Sequence, residues 1–330
     1  MASVSLIIPC YNMEKYINDA IDSVMLQTFK DIELIIVNDG STDSSEDIIL
    51  SRKPDIEATL SAFKYIKQEN AGVAGACQTG FKSATGKYLM LLDGDDYLLL
   101  SSVEKQIEFL EKHPDFSAVR TNGYYTYPGK EEKRYLLEYN PETGNETDVW
   151  KKIFLGQAHA FPGGYMMRMS VLDEIYPNRE MYTSRYGQNL QFILVASYHR
   201  KVGFIDEPLL KYYIRKDSMT HRIEKDQKKR EMEFLEGFKD IREHITNNYF
   251  DEEDKQEFLK KNELLYARMY LQIANKYWDK VLADENYNKL KLLTDNHISK
   301  TDKSLYYSIK YPVYRRLIRI VEKARRFIKR

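Results

Sequence analysis

The sequence predicts an α/β fold, with a mostly parallel sheet flanked by helices and a C-terminal α-helical appendage. Three observations predict it. Apolar, strand-like segments alternate with helical segments over about the first 100 residues, polar groups follow those strands, and long charged stretches with helical spacing dominate after residue 222. No low-complexity linker separates the two textures. We therefore expect a first domain over residues 1–222 and a helical region over residues 223–330.

The first two strands share one design. VSLIIPCYN (4–12) is a β-branched apolar run that Pro9 is expected to end, and IELIIVNDGSTDSS (32–45) is a second such run followed by a polar turn at Gly40. A helix cap is expected among residues 41–45. The spacing of apolar residues after the first strand predicts a helix, through Tyr16, Ile17, Ala20, Ile21 and Val24.

Two further strands complete the predicted parallel sheet. FKYIKQEN (63–70) is followed by a small-residue helix over 72–85 and then by the strand KYLMLLD (87–93). Ligands of such sheets bind beyond the carboxyl ends of the strands. The polar groups PCYN, NDGSTD and DGDD should therefore line one crevice.

Three carboxylates follow the most apolar of these strands. Asp93, Asp95 and Asp96 stand in the segment LMLLDGDDYLLL (89–100). An isolated DxDD motif is more often a solvated turn, but three like charges at a ligand-binding edge repel one another unless a cation lies among them. Oxygen-only ligands favour Mg²⁺ or Mn²⁺ over zinc, and such ions complete their shells with phosphate oxygens. DGDD is therefore interpreted as a metal-diphosphate site.

Two other strand ends carry candidate ligand groups. Asp39 ends the second strand, where a carboxylate can accept a hydrogen bond from a base N3–H, although Asp is also a common helix cap. Tyr11 follows the first strand and can stack on a flat base, although a lone tyrosine is more often a packing residue. Neither residue is convincing alone, but the three strand ends together indicate a nucleotide site.

The composition indicates a folded protein and the compartment in which it works. The 330 residues contain 43% hydrophobic residues and 26 tyrosines, which is typical of a folded protein. The two cysteines give neither a disulfide framework nor metal-ligand spacing, which agrees with a reducing compartment. No apolar run approaches the roughly 18 to 20 residues of a membrane span, and the N-terminal residues lack a basic segment and a cleavage site. We expect a cytoplasmic protein.

The ordered motifs resemble glycosyltransferase family 2, whose members are inverting enzymes with the GT-A (Rossmann-like) fold that use nucleotide-diphospho-sugars. The resemblance is close over residues 4 to about 100, from SLIIPCYNMEKYI through NDGSTDSS and QENAGVAGACQTGF to LLDGDDYL. It continues more loosely through GGYMMRMSVLDEI (163–175) and VGFIDEPLLKYYIRKDSMT (202–220). These motifs say little about which sugar is moved.

The resemblance implies roles for the residues that precede the acidic motif. Pro9, Tyr11 and Glu14 would border the nucleoside pocket of the donor, and Asp39 would read the base.

For the acidic motif itself, the resemblance implies that Asp93 and Asp95 form the DxD pair. Asp95 would contact the Mn²⁺ or Mg²⁺ cofactor, Asp93 would serve the ribose and the metal-water shell, and Asp96 would support the loop. An acceptor hydroxyl would then attack the anomeric carbon while the metal neutralises the departing diphosphate.

Three departures from the family pattern change these expectations. Residues 76–78 read ACQ where the family often has ARN, so a common arginine contact to the donor is missing. Arg215 stands where the family often has His; arginine cannot ligate a metal but can clamp a phosphate, which makes it a catalytic candidate. Gln188 and Asn189 stand where an acidic pair usually provides the general base, and an amide cannot take a proton at neutral pH. Another carboxylate serves, the positions do not correspond, or the acceptor is activated differently; the pair is assigned only to acceptor positioning.

The leading hypothesis is therefore a metal-dependent, inverting glycosyltransferase that moves a sugar, from a UDP-sugar by preference, to a glycan or lipid-linked acceptor in cell-surface polysaccharide synthesis. A non-catalytic nucleotide-sugar-binding partner in a glycan assembly complex is the alternative that Gln188 and Asn189 keep open. A sugar-nucleotidyltransferase should carry a glycine-rich, arginine-containing loop after the first strand, and PCYNMEKY has neither residue. No nucleic-acid partner is expected.

The C-terminal segment concentrates positive charge. Residues 313–330 contain eight basic residues and one acid, a balance of +7 in a chain whose net charge is zero. Apolar residues recur there at spacings of three and four, with basic residues largely opposite. A solvated or core-packed helix is one interpretation. The other, which we favour, is a helix that lies on an anionic membrane and makes the protein peripheral at the inner face of the cell membrane.

Overall fold

The computed structural model describes five stretches of the chain, which are residues 2–127, 135–136, 146–184, 186–215 and 226–311. The basic segment 313–330 lies outside them. The chain divides into two compact units, Met1–Ile223 and Glu224–Arg330.

In the described part of the first unit, nine strands form one sheet. They are β1 (Val4–Cys10), β2 (Ile32–Asp39), β3 (Ala62–Gln68), β4 (Tyr88–Leu91), β5 (Tyr97–Leu98), β6 (Phe116–Thr126), β7 (Tyr135–Leu136), β8 (Tyr165–Arg168) and β9 (Lys201–Tyr213). The strand order is β3-β2-β1-β4-β8-β6-β9-β5, and β7 pairs with β6 at the side of this path.

The first four strands are parallel to one another. β1 lies between β2 and β4, and β3 pairs with β2 on its outer side. β8 is antiparallel to both β4 and β6, whereas β9 runs parallel to β6. The predicted α/β architecture is confirmed, with the parallel pairing found among β1 to β4 and between β6 and β9.

Helices cover the sheet of the first unit. They are α1 (Ile17–Met25), α2 (Ser45–Thr59), α3 (Gly72–Ser83), α4 (Ser102–Lys112), α5 (Trp150–Phe154), α6 (Met169–Ile175) and α7 (Gln188–Ser197). The buried face of α1 is the one that its apolar spacing predicts. α3 packs closely on β1 because Gly80 has no side chain: a Cβ there would lie 2.5 Å from the Ile7 side chain.

The core explains why β1 and β2 are apolar throughout. Every residue of both strands is buried, because helices cover the two faces of a parallel sheet. Burial of a side chain such as Ile7 or Ile35 contributes roughly 1.5–3 kcal/mol. This packed centre fixes the strand ends from which the polar residues project.

The second unit is helical in its described part, which confirms the predicted helical C-terminal region. Its helices are α8 (Gln227–Tyr249), α9 (Glu252–Tyr277), α10 (Lys280–Leu293) and α11 (Lys300–Lys310). Each begins after an Asp or Ser whose side chain accepts a backbone N–H of the first turn, and these caps are Asp226, Asp251, Asp279 and Ser299. None of the helices among the described residues has the length and apolar character that a membrane crossing requires.

Candidate functional site

The polar ends of β2 and β4 converge on one side of the sheet. Asp39 is the last residue of β2, and Asp93 follows the end of β4 at Leu91. Both carboxylates influence the Cys77 thiol of α3: burial raises the pKa of this thiol, and the negative charges of Asp93 and Asp39 raise it further. The two carboxylates therefore act electrostatically on the same buried thiol.

Pro9 and Tyr11 belong to the same edge. A Cβ on Gly94 would lie 3.5 Å from the Pro9 carbonyl oxygen, so the loop of the acidic motif passes directly over the end of β1. Tyr11 follows β1 with 47% of its surface exposed. Tyr11 is therefore not a core residue, and its stacking on a base remains a prediction.

The acidic motif forms a tight, largely buried turn. The Asp96 backbone N–H donates to the Asp93 carbonyl oxygen at 2.9 Å, and Asp96 Oδ1 accepts the Tyr213 N–H at 3.2 Å. Asp96 Oδ2 is buried and has no hydrogen-bond partner among the described residues. A buried carboxylate oxygen without a donor is costly, and either a proton or a bound cation would remove that cost.

Burial and mutual repulsion perturb the acids of this turn. Burial, and then the negative charge of Asp95, raise the pKa of Asp93 to about 7. The pKa of Asp96 is raised well above its usual range by burial and by the charges of Asp95 and Asp93. The Tyr212 pKa is also raised, by burial and by the three carboxylates, so its hydroxyl remains a donor beside them. Such perturbation is typical of functional sites.

Arg215 supplies a positive charge to the turn. Its Nε and Nη2 lie 2.7 and 2.6 Å from Asp95 Oδ2, and its side chain is only 7% exposed. The guanidinium also lies 4.1 Å from the centre of the Tyr16 ring. Arg215 therefore neutralises one of the three carboxylates, as a partner of Asp95, while the pKa values of Asp93 and Asp96 remain raised.

Asp39 is held by the chain segment that follows β3. Its Oδ1 accepts the Gln68 side-chain amide at 2.7 Å and the Ala71 backbone N–H at 2.9 Å. Oδ2 makes no hydrogen bond within the described ranges. The helix after β2 begins at Ser45 without a side-chain cap, so Asp39 does not cap it and the capping alternative is excluded.

The loops after β1 and β2 are bonded to each other. The Asn12 N–H donates to Ser41 Oγ at 3.0 Å, and Asn12 Oδ1 accepts the Thr42 N–H at 2.8 Å. Glu14 Oε2 accepts the Ser44 N–H at 3.2 Å. The Glu14 carboxylate thus braces these loops, while its expected place at the border of the nucleoside pocket remains a prediction.

The amide pair lies at the start of α7. Gln188 is 8% exposed, and Asn189 Nδ2 donates to the Ala160 carbonyl oxygen at 3.4 Å. Within the described stretches, neither side chain is hydrogen-bonded to an acid of the DGDD turn.

The neighbouring His159 is a packing residue whose two ring nitrogens are buried. Its ring packs against Phe161 and Tyr165, at centroid distances of 5.7 and 5.8 Å, and Phe161 in turn packs against Tyr212 at 4.7 Å. Burial, with the positive charge of Arg120 nearby, lowers the pKa of His159 to about 3.

Gln68, Tyr212 and Tyr213 also belong to this site, although no sequence motif singles them out. The QEN segment that contains Gln68 is predicted as the end of a strand and belongs to the close part of the resemblance, and YY at 212–213 belongs to its looser part, but neither pattern assigns these residues to the site. A usable signal was present, because parallel strands place their C-terminal residues at one edge and Gln68 ends β3.

Comparison with known proteins places this geometry in a family. The chain is 30% identical over 224 residues to a glycosyltransferase of Rickettsia prowazekii, RP339, covering 66% of each chain. It is 27% identical over 233 residues to glycosyltransferase GlyA of Streptococcus pneumoniae, covering 66% of this chain and 31% of that one. A Rickettsia bellii glycosyltransferase is 33% identical over 189 residues, which are 54% of this chain and 26% of the relative. This chain thus spans between about a quarter and two thirds of these relatives.

Solved structures share the fold. TarS 1–349 of S. aureus, in complex with UDP-GlcNAc, matches with a TM-score of 0.66 at 17% identity, over 98% of this chain and 92% of that one. The mannosyltransferase PcManGT of Pyrobaculum calidifontis, in complex with GDP-Man and Mn²⁺, matches with a TM-score of 0.52 at 12% identity, over 96% and 83%. The model of the family described as glycosyl transferase family 2 matches residues 5–176, more than half of the chain. The protein belongs to glycosyl transferase family 2.

Proposed function

We propose that this protein is an inverting glycosyltransferase that transfers a sugar from a UDP-sugar to a hydroxyl of a glycan or lipid-linked acceptor in cell-surface polysaccharide synthesis. The observation that carries the proposal is the largely buried turn of Asp93, Asp95 and Asp96, on the same side of the sheet as Asp39. A nucleotide-sugar site must bind a nucleobase at one end and a diphosphate at the other. Asp39 is placed to bind the nucleobase, and the three acids, with a cation, would bind the diphosphate. TarS, solved with UDP-GlcNAc on the same fold, supports the uridine donor.

We take this turn as the site of a divalent cation. The atoms that these side chains offer to a metal are all carboxylate oxygens. The buried Asp96 Oδ2 receives no hydrogen bond in the described part of the chain. Asp95 and Asp93 would hold the ion, which supplies charge neutralisation to the leaving diphosphate when bound. PcManGT, solved with Mn²⁺, supports this choice of cofactor.

The chain's own residues orient the reactants. Asp39 accepts a hydrogen bond from the nucleobase, and the exposed Tyr11 ring stacks on that nucleobase. Arg215 leaves Asp95 and binds the phosphates of the sugar donor instead. The acceptor hydroxyl attacks the anomeric carbon, the bond to the diphosphate oxygen breaks, and the hydroxyl proton passes to a base other than Gln188 or Asn189. The anomeric configuration therefore inverts in one displacement.

The amide pair favours a second candidate function. Gln188 and Asn189 stand at the position where the family usually has its general base, and neither side chain can accept a proton there. That loss is expected in a non-catalytic nucleotide-sugar-binding partner of a glycan assembly complex. Against this, such a protein has no need for a buried cluster of three acids.

The basic segment 313–330 suggests where the protein works. Its net charge of +7 and its amphipathic spacing suit a helix on an anionic membrane surface, where a lipid-linked acceptor resides.

One experiment separates the two functions. The purified protein is incubated with Mn²⁺, a panel of UDP- and GDP-sugars and lipid-linked acceptors, and the release of nucleoside diphosphate is measured. The enzyme releases diphosphate from one donor only when a suitable acceptor is present. Tight donor binding with no release across the acceptor panel would favour the binding partner.

A further inference from the structure

The Asp39 carboxylate has one committed oxygen and one open oxygen. Oδ1 accepts two hydrogen bonds, from Gln68 Nε2 at 2.7 Å and from the Ala71 N–H at 2.9 Å. These two donors fill the positions where a carboxylate oxygen accepts best. Oδ2 has no hydrogen bond within the described ranges, so a ligand finds a single free acceptor there.

Gln68 holds this arrangement from the end of β3. The carboxylate can only accept, so the glutamine must present its NH₂ group to Asp39. Gly75 packs beside the same segment, because a Cβ at this position would lie 2.6 Å from the Ala71 Cβ. The Ala71 bond comes from the backbone and survives side-chain changes, whereas the Gln68 bond depends on the residue type.

The pairing edges of the nucleobases differ in how many N–H groups they present to a carboxylate. Uracil presents one, N3–H, between two carbonyl oxygens. Guanine presents two adjacent donors, N1–H and N2–H, which a carboxylate binds best with both oxygens free. A site that leaves one of those donors unpaired in a buried position rejects that base.

We propose that Gln68 is a specificity-determining residue: by occupying Asp39 Oδ1, it restricts the carboxylate to bases with a single N–H on the pairing edge and so selects uridine over guanosine diphospho-sugars. This inference rests on the proposed function, because it concerns the donor site of the same reaction. The fold itself does not decide the base, since TarS was solved with UDP-GlcNAc and PcManGT with GDP-Man.

The test is the binding of UDP and GDP to the full chain, measured by calorimetry with Mn²⁺ present. Wild-type protein should bind UDP at least about tenfold more tightly than GDP, as expected when one ligand donor is left unpaired. Gln68→Met keeps the side-chain volume but removes the donor, and it should reduce the UDP-to-GDP preference by about fivefold or more, mainly through tighter GDP binding. Lys67→Met is the matched control: this neighbouring side chain is 57% exposed and pairs with Glu46, so the preference should not change.

The outcomes are distinguishable. Equal binding of UDP and GDP by the wild type, or an unchanged preference in a folded Gln68→Met variant, overturns the role of Gln68 while leaving a nucleotide-binding enzyme. If Gln68→Met does not fold, Gln68→Leu serves instead, because an aliphatic side chain also removes the donor, and an unchanged preference again overturns the inference. Failure of the wild type to bind any nucleoside diphosphate overturns this inference and the proposed function together.

Discussion

Replacement of Asp95 by asparagine tests the acidic turn and its ion pair together. In the structure Asp95 Oδ2 receives two guanidinium N–H groups of Arg215, at 2.7 and 2.6 Å, and the two side chains are 14% and 7% exposed. Asparagine keeps an acceptor oxygen but removes the charge. We therefore expect metal-dependent UDP binding and sugar transfer to be lost while the fold remains.

The magnitude follows from the burial of the pair. A charge-assisted hydrogen bond contributes about 1.5–3 kcal/mol and a neutral one about 0.5–1.5 kcal/mol, so Asp95→Asn should lower the free energy of unfolding of the first unit by about 1–2 kcal/mol. Asp95→Ala should cost more, because it leaves the Arg215 charge without this acceptor. The variant Asp173→Asn, which removes a carboxylate charge from the more exposed pair with Arg179, is the control and should change stability little.

The assay combines urea unfolding with calorimetric titration of Mn²⁺ and UDP. The double variant Asp95→Asn/Arg215→Met should be less destabilised than the sum of the two single variants, because the two side chains interact directly. Strict additivity would refute the pairing. Full transfer activity in Asp95→Asn, or in wild-type protein with excess chelator, would refute the metal role of the turn.

Three further predictions concern the rest of the molecule. Asn189→Ala should reduce transfer by well under the 10²- to 10⁴-fold typical of a lost general base; a larger loss with normal donor binding would make this position chemically essential. Burial lowers the pKa of His159 in the folded protein to about 3. Below pH 6.5 the unfolded chain therefore binds a proton at this residue that the folded chain does not, so stability decreases as the pH is lowered. Between pH 6 and 4, His159→Phe should therefore reduce the slope of the free energy of unfolding against pH, measured by urea unfolding, by the contribution of about one proton. An unchanged slope would contradict the buried neutral histidine. A chain ending at Tyr311 should fail to float with anionic liposomes that recover the full chain in low salt; equal flotation of both would reject the membrane helix.

The sequence alone determined the first four strands of the sheet and the position of the acids at the end of the fourth. Hydrophobic periodicity is a local property of the sequence. It therefore predicts β1, the helix that follows it and the apolar run before Asp93. Boundaries were less exact. The strand expected over 87–93 is Tyr88–Leu91, because its last residues already turn toward the DGDD loop.

Only the tertiary structure decided which groups these acids face. Arg215 is 120 positions from Asp95 in the chain, and Gln68 is 29 positions from Asp39, so no local pattern connects either pair. Burial, which requires the whole packed unit, raises the Asp93 pKa to about 7 and leaves Asp96 Oδ2 without a donor among the described residues. The sequence therefore supplied the carboxylates, whereas folding supplied their neighbours and their dielectric surroundings, because charge interactions depend on distance in space and on exclusion of water.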